Sequence, residues 1–143
     1  MKMVTDSKIL CLKDTSLNAD YRMDPILSKL HGHENLQRLT LSNCGIGDEY
    51  FTRVLDVLEK QKVMIVHLDV SQNELSMHSM VPLSNYLANY LCSKSLESIV
   101  LDKNDLHDDG IREVVDGMWE RFSNIDKQSY PNALSFGKLS AKA

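Results

Sequence analysis

Three groups of side chains in this sequence are of types that do chemistry, and their spacing decides what each can do. His31 and His33 flank Gly32, which could open a metal site. Zinc needs three or four converging ligands, and no further ligand stands at a fixed distance, so a solvated connection is expected there. Asp102, Asp105, Asp108 and Asp109 cluster as calcium ligands can. They follow a strand end, a turn and a helix start in that order, so turn and capping roles account for them. Cys11, Cys44 and Cys92 are scattered, odd in number and free of any C-x-x-C, which predicts reduced thiols. The sequence has no H-E-x-x-H, Gly-rich phosphate loop, G-x-S-x-G or EF-hand loop. No catalytic residue, cofactor or metal is therefore expected, and the chain reads as a non-enzyme.

What positions these residues is a repeat. The stretch Leu96-Glu97-Ser98-Ile99-Val100-Leu101-Asp102-Lys103-Asn104-Asp105-Leu106 has the form L-x-x-I-x-L-x-x-N-x-L. Alternating apolar residues predict a strand with one buried face, and the Asn suits the turn that ends it. Leu36–Ile46 and Ile65–Leu75 share the pattern, and Leu10–Leu17 carries its second part, with Thr15 at the Asn position. The starts are 29 residues apart from Leu36 to Ile65 and 31 from Ile65 to Leu96.

Between the strands the period changes to that of a helix. Phe51, Val54, Leu55 and Leu58 fit one apolar face; so do Met80, Leu83, Leu87, Tyr90 and Leu91; so do Ile111, Val114, Val115 and Met118. Asp48, Ser79 and Asp108 are expected at or near N-caps, and Pro25 and Pro82 in first turns. Neither a strand nor a helix of this kind buries its apolar face alone, so the units must stack.

These residues resemble the leucine-rich repeat family, in its long-repeat class typified by ribonuclease inhibitor. The resemblance implies an α/β fold, a leucine-rich repeat solenoid forming a short right-handed arc with a concave parallel sheet and convex helices. It also implies that Thr15, Cys44, Asn73 and Asn104 form a hydrogen-bonded ladder. The expected domain is 1–122, with a cap-like repeat over 1–33 and three full repeats from about 34. Trp119 and Phe122 are expected to close its exposed end. A polar, mobile tail is expected over 123–143, with Tyr130, Leu134 and Phe136 as its docking side chains if it binds anything.

Of the 143 residues, 43% are hydrophobic and 25% charged, with a net charge of -4. That is an ordinary globular balance and argues against nucleic acid as a partner. No apolar run approaches the roughly 20 residues that span a bilayer, and the first residues lack the layout of a secretory signal. A cytoplasmic setting is expected. What remains for function is surface. The strand positions between the buried leucines would point out on the concave face: Arg38, Thr40 and Ser42, then His67, Asp69 and Ser71, then Ser98, Val100 and Asp102. The expected role is a protein–protein interaction module or scaffold subunit, within a larger assembly or free-standing. The alternative is a regulator of a small GTPase, resembling the long-repeat GTPase activators.

Overall fold

Each leucine-alternating stretch is a strand in the computed structural model, which describes residues 3–5, 8–123 and 138–140. The elements run β1 (Met3–Thr5), β2 (Ile9–Lys13), α1 (Asp20–His31), β3 (Arg38–Ser42), α2 (Asp48–Lys60), β4 (His67–Asp69), α3 (Met77–Ala88), α4 (Tyr90–Ser93), β5 (Ser98–Val100), α5 (His107–Ser123) and β6 (Lys138–Ser140). The strands form one sheet in the order β1-β2-β3-β4-β5-β6. From β2 to β6 every pair is parallel, while β1 lies antiparallel on the outer edge of β2. Equivalent residues pair directly across β2 to β5: Leu10 with Leu39, Leu39 with Leu68, Leu68 with Ile99. Their side chains, with Leu12, Leu41, Val70 and Leu101, are fully or almost fully buried. Each such leucine removed from water contributes about 2 kcal/mol.

The turn after each strand is built the same way. Asp14, Asn43, Gln72 and Lys103 all take positive φ, between 53° and 59°, reversing the chain so that the next residue points inward. That next residue makes the ladder. Asn104 Oδ1 accepts from the Asn73 and Leu75 N–H groups, and its amide donates to the Val70 and Leu101 carbonyls. Asn73 Oδ1 accepts from the Cys44 and Ile46 N–H groups, and its amide donates to the Leu41, Val70 and Ser71 carbonyls. Cys44 is buried and its thiol donates to the Leu12 and Ser42 carbonyls. The Thr15 hydroxyl stays within its own turn, donating to the Lys13 carbonyl.

The helices differ in detail from the sequence expectations. Pro25 and Pro82 are each the sixth residue of their helix rather than in the first turn, because α1 and α3 start earlier, with Ala19 and Ser76 as N-caps. Asp48 begins α2 behind Gly47 and reaches across to the next unit. Its carboxylate accepts from the Ser76 N–H at 2.9 Å, from the Ser76 hydroxyl at 2.5 Å and from the Ser79 hydroxyl. Burial alone would raise the Asp48 pKa; the Ser76 and Ser79 bonds and nearby His78 outweigh it and hold the carboxyl below its ordinary range. The second helix of the pattern stops at Ala88, where Asn89 leaves helical geometry with ψ at 87°. Leu91 therefore falls outside it and is exposed.

On α5, Val114 is buried, but Val115 and Trp119 are exposed, Trp119 to 70%. Trp119 thus does not seal the end of the repeats, and the Phe122 side chain lies outside the described residues. The segment read as a mobile tail lies outside them too, together with Tyr130, Leu134 and Phe136, apart from Ser123 and from Lys138–Ser140. Those last three residues are a strand, paired parallel with β5. Among the described residues no helix is long and apolar enough to cross a membrane.

Candidate functional site

The strand residues that alternate with the buried leucines stand in register, forming rows across the sheet. Arg38 pairs with His67 and His67 with Ser98; Thr40 pairs with Asp69 and Asp69 with Val100. The pairing continues into β6, where Lys138 joins the first row and Ser140 the second. Adjacent strands are about 4.8 Å apart, so across β3, β4 and β5 each row is a contiguous line of side chains drawn from different repeats.

The nine residues expected to form this surface do not all reach it. Arg38 is exposed, and His67, Asp69, Ser98, Val100 and Asp102 are half-buried. Thr40 and Ser42 are only 8% exposed and Ser71 only 7%, which corrects the expectation that they are displayed. Their side chains are short, so the neighbouring strands shield them. Ser42 and Ser71 also share a hydrogen bond of 3.0 Å between their hydroxyls. Asp69 divides its carboxylate between the surface and the fold, accepting from the Ser71 N–H at 3.0 Å. By contrast, Arg38, His67 and Ser98 make no side-chain hydrogen bond or ion pair among the described residues. The row they form is free to meet something else.

The arrangement offers a bidentate cation, an imidazole, hydroxyls and carboxylates within a few strand spacings. Among the described residues of these rows no nucleophile is hydrogen-bonded to a base, one of the arrangements that activates a nucleophile. Among the described residues no group of three or more His, Cys, Asp or Glu could hold a metal ion. His31 ends α1, with Gly32 as its C-cap. The acidic residues after β5 have local roles. Asp108 and Asp109 lie in the first turn of α5, where carboxylates complement the helix dipole, and Asp105 meets His107 at 2.9 Å on the surface. Burial pushes the Cys44 thiol up, with Asp14 and Cys11 adding to the effect against a bond from the Thr15 backbone, and burial likewise raises Cys92. Raised thiols are poor nucleophiles near neutral pH.

Sequence reasoning missed Lys138 and Ser140 as continuations of the rows. The available signal was only the polar-apolar-polar order of Lys138-Leu139-Ser140, too short to separate a strand from a tail. A family model for the Leucine Rich repeat matches residues 32–49, the stretch that leads into β3, passes its turn and enters α2. No curated protein matches the chain. The family match, with parallel strands and packed helices, supports a leucine-rich repeat protein of α/β fold and, in general, a protein-interaction role.

Proposed function

We propose that the chain is a non-enzymatic interaction module, a leucine-rich repeat solenoid of the long, ribonuclease-inhibitor-like class. Its concave strand face takes a protein partner, and it serves as a scaffold subunit in a larger cytoplasmic assembly. Arg38, His67, Asp69, Ser98, Val100 and Asp102 make the contact surface; Thr40, Ser42 and Ser71 lie on the same face, shielded between them. The observation that carries this reading is the Arg38–His67–Ser98 row, held in register by the sheet and not consumed by the fold. A parallel sheet holds such residues rigidly, so little ordering entropy opposes binding.

The test pairs cross-linking mass spectrometry on the captured partner with the double variant Asp69→Arg, Ser98→Arg. Both positions are half-buried rather than enclosed, so the variant should fold. Binding should weaken at least about tenfold, a loss of about 1.4 kcal/mol. Cross-links confined to the helices, with unchanged affinity in the double variant, would rule the strand face out.

A further inference from the structure

A pocket of about 360 Å³ opens at the N-terminal end of the helix layer, between α1 and the turn after β2. Leu17 and Ile26 line its floor and are buried, at 2% and 3% exposure. Pro25 and Tyr21 form its walls, and Tyr21 is 71% exposed. Arg22 and Lys29 stand at the rim. The Arg22 guanidinium lies 5.3 Å from the Tyr21 ring centroid, donating to the Tyr21 hydroxyl at 2.7 Å and to the Ser16 carbonyl at 3.4 Å. Among the described residues neither Arg22 nor Lys29 pairs with a carboxylate. The volume is at the low end for small-molecule sites, which suits one or two apolar side chains presented by a larger partner.

The next unit shows what this side of a helix accepts. Buried Met23, Ile26 and Leu30 of α1 recur in α2 as Phe51, Val54 and Leu58, a shift of 28 residues. Arg22, Pro25 and Lys29 therefore hold in α1 the places that Tyr50, Arg53 and Val57 hold in α2. Tyr50 and Val57 pack on the core, and Tyr50 and Arg53 both bond the Asp20 carboxylate of α1, at 2.9 and 3.1 Å. This helix side grips an acidic residue of the helix stacked on it. In α1 the same side is open and carries two cations. Antiparallel β1 occupies the sheet edge beside it, so no parallel strand can pair with β2 to extend the repeats there.

We propose that the pocket between α1 and the β2 turn is a docking site for an acidic amphipathic helix of a partner protein. One apolar side chain of that helix enters over Leu17 and Ile26, and its flanking carboxylates meet Arg22 and Lys29. The site is separate from the strand face and does not depend on that reading.

A fluorescein-labelled peptide of about 16 residues, long enough for marginal helicity, serves as the probe. It carries Leu at i, i+3 and i+7 with Asp and Glu beside them; a control peptide has Lys at every acidic position. Fluorescence polarisation with the full chain should show saturable binding of the acidic peptide, with Kd of about 100 µM or tighter, and none of the control. Arg22→Glu with Lys29→Glu should weaken it at least about tenfold. Tyr21→Ala, which changes no charge, should weaken it by a smaller factor, and Asp69→Arg should leave it unchanged. Circular dichroism checks that each variant folds. Equal binding of both peptides, no saturation by 1 mM, or full affinity in the charge-reversed variant would overturn the proposal. Loss of binding in Asp69→Arg would place the peptide on the strand face and overturn it equally. Sedimentation velocity covers the remaining occupant: self-association abolished by the charge reversal would assign the surface to a second copy instead of a partner.

Discussion

Asn73 joins two consecutive turns through five hydrogen bonds from one side chain. An unpaired buried backbone group costs about 1–3 kcal/mol, and Asn73→Ala strands several at once. We expect that substitution to lower stability by about 3 kcal/mol or more in urea denaturation, while Asn104→Ala, in a part-buried site with four such bonds, costs less. Equal losses would mean that the ladder does not depend on burial. Asp48 makes a pH-dependent counterpart. Its folded pKa lies below the ordinary 3.8, so the folded state binds this proton less readily than the unfolded chain. The stabilisation is therefore complete above the unfolded value and is lost as pH falls below about 3.8 toward the folded one. Asp48→Ala should cost about 2 kcal/mol at pH 7, and its deficit relative to the parent should shrink on acidification. A deficit constant from pH 7 to pH 3 would remove the carboxylate from the explanation.

At the scale of elements, close packing and turn geometry set the sharpest constraints. A Cβ on Gly117 would stand 2.7 Å from Ser84 Cα and 2.8 Å from its carbonyl oxygen, so α5 can lie against α3 only because that position is bare. Gly117→Ala improves helix propensity, yet the clash is with backbone and should dominate. We expect a net loss of about 1–3 kcal/mol, read from the thermal midpoint; a stabilised variant would mean that α5 can retreat at little cost. Gln72 tests the turns. It is exposed with φ at 55°, so Gln72→Gly should be near neutral, its relief of strain offset by unfolded-state entropy. Gln72→Val should cost about 1–2 kcal/mol. The turns were legible in advance because leucine alternation and an Asn or Cys at fixed distance are local signals. The Gly117 contact was not, since nothing near Gly117 in sequence announces Ser84. The same holds for Asp48, whose partners Ser76 and Ser79 belong to the next unit, and for Thr40, Ser42 and Ser71. Alternation assigns those three to the right face, but exposure on that face depends on the size of neighbours in other strands.

Across the whole molecule, contacts run between adjacent units: β2 with β3, β3 with β4, β4 with β5, and each turn with the next through Cys44, Asn73 and Asn104. Stability in such an array is a sum of unit and nearest-neighbour terms, so protection should grade from the middle to the ends. The middle strands β3 and β4 have a full parallel neighbour on both sides and the Asn73 and Asn104 bonds beneath them. The outermost strands β1 and β6 are three residues each and have one neighbour each in the sheet. Hydrogen exchange with mass spectrometry should therefore find the slowest amides in β3 and β4, with rates rising toward both edges as local openings become less costly. Removing 138–143 sharpens the test. Amides of Ser98–Val100 should exchange faster once β6 is gone, while those of Arg38–Ser42 keep their rates, because two units lie between. If the deletion speeds exchange in β3 as much as in β5, the chain opens as one cooperative block and the nearest-neighbour description fails.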